Sequence, residues 1–255
     1  TLATSGSGQE NVAIGQSALN ANTSGSYNVA VGRQALVSNT TATGNTGLGH
    51  QSLYSNTTAA NNTAVGFQSA YFNTTGSDLT AVGFRALYSN TTGSYNTAVG
   101  QAALSANTTA SYNSALGYQA LTSNTTGIVN SAFGYQALFL NTTGNYNNAF
   151  GTSDLAVGGA LQNNTTGSFN NAFGNGTLAS NTTANYNNAF GQQALNKTTT
   201  GSNNVGIGYA ALYNNTTGSG STAVGHQAAF SSTSNGQITA FGYQAGYSNA
   251  AGNFN

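Results

Sequence analysis

A short string that closes on glycine returns at one fixed spacing along the chain, and this spacing constrains the fold more than any other feature. Successive closing glycines are 17 residues apart, except that Gly151 and Gly174 are 23 residues apart. The 255 residues therefore contain 14 repeats and one six-residue insertion, which falls within residues 152–159. Because such strict spacing leaves little room for length changes, we expect residues 1–255 to form one continuous repeat array. The marker glycines are Gly15, Gly32, Gly49, Gly66, Gly83, Gly100, Gly117, Gly134, Gly151, Gly174, Gly191, Gly208, Gly225 and Gly242.

The consensus repeat, N-T-A-V-G-x-Q-A-L-x-S-N-T-T-G-S-Y, is too short to hold two helices and a turn. Valine, isoleucine, phenylalanine and tyrosine near the marker glycine favour strands, whereas asparagine, glycine and serine favour turns. Each repeat is expected to contain two short strands, N-T-A-V-G and x-Q-A-L, followed by a polar turn at N-T-T-G-S. Parallel stacking of such units predicts an all-β fold, a parallel β-solenoid (β-roll) of 17-residue coils.

Two hydrophobic columns run through the array and are predicted to form its core. The residue just before each marker glycine is apolar in all 14 repeats, and the residue four positions after it is mostly leucine. In a stacked solenoid each of these side chains meets its own kind in the coils above and below. The first set, the apolar column, is Ile14, Val31, Leu48, Val65, Val82, Val99, Leu116, Phe133, Phe150, Phe173, Phe190, Ile207, Val224 and Phe241. The second set, the leucine column, includes Leu19, Leu36, Leu53, Leu87, Leu104, Leu121, Leu138, Leu161, Leu178, Leu195 and Leu212.

A third column, two residues before each marker glycine, holds alanine in 12 repeats and glycine in two. Strand side chains alternate sides, so this alanine column faces away from the apolar column. Small residues in every coil allow another backbone to approach closely, which leaves two interpretations. The column lines a narrow inner corner of one solenoid, or it forms an inter-chain seam, since one thin core alone is marginally stable. The candidate seam residues are Ala13, Ala30, Gly47, Ala64, Ala81, Ala98, Ala115, Ala132, Ala149, Ala172, Ala189, Gly206, Ala223 and Ala240.

Asparagine forms two further columns. The strand asparagine column, four residues before the marker glycine, holds Asn in 11 of 14 repeats and is predicted to satisfy backbone groups of the turns as a stacked amide ladder. The turn asparagine column opens the N-T-T or N-T-S turn and fits the N-x-S/T glycan acceptor pattern, although Asn and Thr are also ordinary turn residues. These candidate glycan acceptors are Asn22, Asn39, Asn56, Asn73, Asn90, Asn107, Asn124, Asn141, Asn164, Asn181 and Asn215.

Composition excludes several functional classes. Lys and Arg number 3, too few to replace the counterions of a nucleic acid, so no nucleic-acid partner is expected. There is no cysteine, and Asp and Glu number 3, so neither a thiolate metal site nor an Asp-rich calcium repeat is predicted. His50 and His226 are separated by about ten coils and cannot share a metal. We expect no enzyme activity, no cofactor and no membrane insertion of this segment, because paired titratable groups and long apolar runs are missing.

Rows outside the predicted core suggest alternative binding surfaces. Tyr or Phe recurs five residues before the marker glycine and directly after it, and Gln recurs two residues after it. Stacking between coils is the favoured role of these rings, and a carbohydrate-binding face of Tyr and Gln is one alternative. The paired Thr of the turns suggest ice binding as another alternative, although adjacent Thr side chains point opposite ways.

The strings N-x-A-V-G-x-Q-A-L and N-T-T-G-S-Y-N resemble known repeats over essentially the whole chain. The N-[TSV]-A-[VIF]-G element resembles the head repeats of trimeric autotransporter adhesins of the YadA type, and the full unit is similar to repeats of bacterial and phage tail-fibre-domain proteins. The resemblance implies a left-handed β-roll in a three-chain bundle that binds host or surface ligands. The repeat here is longer than the adhesin head repeat, so the extra residues are expected to form a protruding turn.

These features predict a structural extracellular fibre or adhesin shaft at the cell surface, used for surface attachment or matrix formation. The expected partners are further copies of the chain, as a homotrimer or an end-to-end filament, together with glycans or a cell-surface ligand. An end-to-end filament, or a segment of a longer fibre, is suggested because the sequence begins and ends within a repeat. Low charge and the lack of oxidisable Cys and Met favour an extracellular location.

Overall fold

The computed structural model describes residues 7–152, 157–234 and 236–248. The chain divides into two compact units, Thr1–Thr126 (unit 1) and Gly127–Asn255 (unit 2). Every regular element in these described ranges is a three-residue strand that ends just before a marker glycine, and no helix occurs among them. Unit 1 contains β1 Val12–Ile14, β2 Val29–Val31, β3 Thr46–Leu48, β4 Thr63–Val65, β5 Thr80–Val82, β6 Thr97–Val99 and β7 Ser114–Leu116. Unit 2 contains β8 Ser131–Phe133, β9 Asn148–Phe150, β10 Asn171–Phe173, β11 Asn188–Phe190, β12 Val205–Ile207, β13 Thr222–Val224 and β14 Thr239–Phe241.

Within each unit the strands form a parallel sheet in which every residue pairs with its repeat equivalent. In unit 1, Ala30 of β2 pairs with Gly47 of β3. In unit 2, Ala149 of β9 pairs with Ala172 of β10, although the insertion lies between them in sequence. The predicted all-β parallel solenoid of 17-residue coils is therefore confirmed. The predicted insertion includes residues 153–156, which lie outside the described residues.

The second half of each coil is a turn, so the prediction of a second strand at x-Q-A-L is wrong. Gln34 and Leu36 have φ angles of 57° and 50°, and the equivalent positions of most other coils are also left-handed. Left-handed backbone costs roughly 1–2 kcal/mol per non-glycine residue. Hydrogen bonds between coils offset this cost. The Gln34 N–H donates to Gln16 O of the preceding coil at 2.8 Å, and the Leu36 N–H donates to Ser52 O of the following coil at 3.0 Å.

The leucine and alanine columns pack against each other in the core of each unit. Leu53, Leu87 and Leu161 have no exposed surface, which confirms the predicted leucine ladder and places Leu161 in it after the insertion. The alanine column lies opposite, because a Cβ added to Gly47 would lie 3.4 Å from Leu36 Cγ. The small side chains leave just enough width for one leucine per coil.

The apolar column lies on the outside, so its prediction as a core ladder is wrong. Its members are half-buried or exposed, with 45% exposure at Leu48 and 65% at Phe241. Because side chains alternate across a strand, a buried alanine at the centre turns both flanking side chains outward. The coil interior is already filled by leucine and by buried asparagine, and it has no space for a second large side chain.

Burial of the alanine column also corrects the inter-chain seam hypothesis. These residues have 0–5% exposure or are classed as buried in the single chain, so they have no surface to offer a second chain. The column is instead the narrow inner corner of one solenoid; only Ala13, in the first strand, is half-buried. The buried members are Ala30, Gly47, Ala64, Ala81, Ala98, Ala115, Ala132, Ala149, Ala172, Ala189, Gly206, Ala223 and Ala240.

The marker glycines lie where successive coils touch backbone to backbone. Gly83 has a φ of 136°, a conformation that residues with a Cβ rarely adopt. A Cβ at this position would lie 2.5 Å from Gly100 O in the next coil. Only glycine satisfies both conditions at Gly83, and the marker position is glycine in all 14 repeats.

Replacing Gly83 by alanine is expected to destabilise the protein by about 4 kcal/mol or more, because the clashing oxygen cannot move without separating two coils. Gly242→Ala is the matched control, since Gly242 has a φ of 117° but no atom lies within 4 Å of its added Cβ. The control should lose only the backbone strain, about 1–3 kcal/mol. Denaturant unfolding of both variants would measure the difference, and equal losses would contradict the clash between coils.

Candidate functional site: the side-chain ladders

The turn asparagine column forms a continuous buried amide ladder. In unit 1 each Nδ2 donates to the Oδ1 of the preceding coil at 2.7–3.1 Å, for example from Asn90 to Asn73. The same Nδ2 also donates to the carbonyl three residues later, as from Asn90 to Gly93 O at 2.9 Å. Since an amide has two N–H groups, both donors are used within the protein.

The strand asparagine column donates to the same turn carbonyls as the turn asparagine column. Asn62 Nδ2 donates to Gly76 O at 3.0 Å, and Asn73 of the turn asparagine column donates to the same oxygen at 2.8 Å. Meanwhile Asn45 Oδ1 accepts the Asn62 backbone N–H at 2.9 Å. The prediction that this column satisfies turn backbone groups is confirmed. One turn carbonyl per coil thus uses both of its lone pairs on the two amide columns.

Burial of the turn asparagine column contradicts its prediction as a set of glycan acceptors. Asn22 is 6% exposed and the other members are fully buried. N-linked attachment needs an accessible Nδ2, and here both hydrogens are donated inside the coil. The buried members, which are not accessible as glycan acceptors, are Asn22, Asn39, Asn56, Asn73, Asn90, Asn107, Asn124, Asn141, Asn164, Asn181 and Asn215.

Two exposed asparagines outside this column also begin N-x-T triplets, and sequence reasoning missed them. Asn163 precedes Asn164 and Thr165, is exposed, and donates no side-chain hydrogen bond among the described residues. Asn61 is exposed as well, and its amide donates to Asp78 Oδ1 at 3.3 Å. The repeat register could have separated them, because both fall out of phase with the turn asparagine column.

The two threonines of each turn have different roles. The first donates its hydroxyl to the equivalent carbonyl of the next coil, as Thr40 Oγ1 does to Thr57 O at 3.1 Å. The second is exposed, for example at Thr41 and Thr92. Only the second row is therefore available to solvent or to a ligand, in agreement with the expectation that a single row of each pair faces outward.

Aromatic rings stack along several columns, with their faces against one another. Tyr95 and Tyr112 lie 5.0 Å apart with planes 7° from parallel. Sequence reasoning missed a further column, Tyr54, Tyr71 and Tyr88, whose centroids are 4.8 and 5.4 Å apart. Burial, and then the neighbouring Tyr54 and Tyr88, raise the pKa of Tyr71. The sequence does contain a signal for this column, because tyrosine recurs at the repeat spacing, five residues after the marker glycine.

Stacking limits what the Tyr and Gln rows offer to a carbohydrate. Sugar rings pack on aromatic faces, but the faces within a stack are covered by the rings of adjacent coils. The glutamine row is also self-satisfied, since Gln68 Nε2 donates to Gln51 Oε1 at 2.9 Å and Gln51 Nε2 to Gln34 Oε1 at 3.0 Å. Ring edges and tyrosine hydroxyls remain outward.

The few charged residues are dispersed over the surface. Arg33 Nη1 lies 3.2 Å from His50 Nε2. Arg85 donates from Nε to Gln68 Oε1 at 3.0 Å and places its guanidinium over the Tyr88 ring. Among the described residues no group of three or more His, Cys, Asp or Glu is arranged to hold a metal. The same residues contain no helix with the length and hydropathy to cross a bilayer.

The outward strand face is uncharged in both units and carries a row of apolar side chains beside a mostly polar row. In unit 1 the apolar column presents valine and leucine beside Thr63 and Thr97. In unit 2 it presents a phenylalanine ladder, in which Phe150 and Phe173 lie 4.8 Å apart with planes 6° from parallel. An asparagine ladder flanks these rings, with Asn148 Nδ2 donating to Asn171 Oδ1 at 2.8 Å. We call this surface, formed by the apolar column and the residue two before it, the strand face.

No family model, curated protein or solved structure matches this chain. The resemblance to YadA-type adhesin heads and tail-fibre repeats therefore stays a prediction, as do the trimer and the surface location.

Expression in a eukaryotic secretory host should place N-linked glycan on Asn163 and leave the turn asparagine column unmodified. The reason is that the Asn163 amide is exposed and unbonded, whereas the column is buried and doubly bonded. Peptide mass spectrometry after enzymatic deglycosylation would locate the modified sites. Asn163→Gln is the matched control and should remove its glycan without creating another. Substantial glycan on Asn90 or Asn107 would contradict burial of the ladder.

Proposed function

We propose that this chain is a structural, non-enzymatic segment of an extracellular fibre or adhesin shaft. Its copies associate side by side, three to a bundle, and display the exposed turn threonines and Asn163 for surface attachment or matrix formation. The observation that carries the proposal is the strand face, which exposes a hydrophobic side chain at every coil of both units. The alanine column has no part in this association.

The size and chemistry of the strand face favour another copy of this chain as its partner. Seven strands of three residues give about 330 Å² per unit, at about 4.8 Å between strands and 3.3 Å per residue. The apolar column is one of the two side-chain rows on this area, and the largest apolar patch of a soluble monomer, typically about 300–600 Å², is often functional. No Asp, Glu, Lys or Arg lies on the face, so a charged partner has nothing to pair with. A second copy has the same coil spacing, and its side chains would meet this face in register along its length.

Self-association should be lost when charge is placed on the strand face. The double variant Val65→Glu and Val99→Glu is expected to weaken association at least tenfold, since each burial of an unpaired charge costs more than about 1.4 kcal/mol. Thr58→Glu with Thr92→Glu is the control, because both threonines are exposed at the turn. Sedimentation velocity would report the oligomeric state, and a wild-type chain that stays monomeric at micromolar concentration would refute the association.

Binding to ice is the second candidate function, and the strand face of unit 1 is its strongest support. Thr63 and Thr97 are exposed on the sheet, two coils apart, each beside a valine of the apolar column. Such a surface could order water. A thermal hysteresis measurement tests this function, with Thr63→Lys and Thr97→Lys as variants expected to abolish any activity. Hysteresis indistinguishable from that of buffer would exclude it.

A further inference from the structure

The turn asparagine column is interrupted at two places in unit 2. Thr198 and Ser232 occupy positions that are asparagine in most other coils, and both are fully buried. Each side chain offers one hydroxyl hydrogen where asparagine offers two N–H groups, and neither hydroxyl is bonded to the asparagine of the preceding coil. The interruptions lie on either side of Asn215, which therefore has no asparagine of the column in the preceding or the following coil.

Unpaired buried atoms mark both interruptions. Asn181 Oδ1, Thr198 Oγ1, Asn215 Oδ1 and Ser232 Oγ are buried and have no hydrogen-bond partner among the residues that the structure describes. Leaving such a group unpaired costs about 1–3 kcal/mol. Four of them on successive coils is an unusual concentration for a folded protein, where buried polar atoms are normally satisfied.

The strand asparagine column is also interrupted, but there the replacement of an asparagine leaves no oxygen unpaired. Leu79 replaces asparagine there, yet Asn62 Oδ1 still accepts a hydrogen bond from the Leu79 backbone N–H at 3.0 Å. In that column the acceptor is served by the main chain, which any residue except proline supplies. In the turn column the acceptor is served only by a side chain, and the hydroxyls of Thr198 and Ser232 leave it unpaired.

We propose that the interior of unit 2 holds an ordered water molecule at each interruption, next to Thr198 and next to Ser232. At Thr198 the ligand must donate to Asn181 Oδ1, in place of the missing amide. It can accept from the Thr198 hydroxyl, whose oxygen is also unpaired. Gly201 O, which accepts from Asn187 at 2.9 Å, has a lone pair free for a second donor.

Water fits this set of partners better than an ion does. Buried waters typically make about three hydrogen bonds to groups that are otherwise unsatisfied, and the Thr198 site offers donors as well as acceptors. A cation would find no carboxylate, and an anion would face the Asn181 oxygen. Either charge would be buried without a counter-charge.

Oxygen-17 magnetic relaxation dispersion counts long-lived internal waters and tests the proposal. Thr198→Asn is expected to remove one such water and to raise the thermal midpoint by about 3 °C, because the amide restores the ladder. Ser232→Asn should remove another. Thr200→Asn is the matched control, since Thr200 is exposed in the adjacent turn, and it should change neither reading.

The converse substitution checks the mechanism in unit 1. Asn90→Thr interrupts an intact stretch of the ladder between Asn73 and Asn107 and should add one long-lived water. A wild-type protein without long-lived internal water would overturn the proposal. A Thr198→Asn variant that keeps the wild-type water count would overturn it as well.

Discussion

Direct backbone contact between successive coils is the constraint on which the rest of each unit depends. At the marker glycines one coil lies against the next, and hydrogen bonds from strand and turn join neighbouring coils along the whole repeat. A fixed separation of coils places every side chain beside its own equivalent. Each position must therefore hold a residue that packs against or bonds to itself. Asparagine and glutamine do this with one donor and one acceptor, leucine and alanine by packing, and aromatic residues by stacking.

Much of this architecture follows from sequence periodicity alone, and the failures have identifiable physical causes. Spacing predicts parallel coils, the strand before each glycine, and the leucine ladder. The inside and outside of the strand were assigned wrongly because apolar side chains such as Val65 usually face a core. Instead, the interior of each coil is occupied by leucine, alanine and the two buried asparagine columns, and asparagine was not expected to fill it. Left-handed Gln34 and Leu36 could not be foreseen, since neither residue type favours that conformation.

The candidate modification sites show the same limit at a smaller scale. An N-x-T triplet is identical in sequence whether its asparagine is Asn164 in the buried ladder or Asn163 on the surface. Only position within the repeat separates them. An asparagine that recurs in phase is buried and satisfied by its neighbours above and below, whereas the out-of-phase Asn163 is exposed and Asn61 bonds to Asp78 at the surface. In a repeat protein, phase therefore carries information that the local motif lacks.

Stacking also accounts for the near absence of charge and for the kind of function that this fold supports. A charged residue repeated in one column would face its own kind at about 4.8 Å, a repulsion of roughly 1 kcal/mol per neighbour even in water. Arg33, Arg85 and Lys197 accordingly occupy three different columns. A ladder of identical rungs presents the same groups at each coil. This uniform pattern is what the proposed lateral contact with a copy of the chain would use.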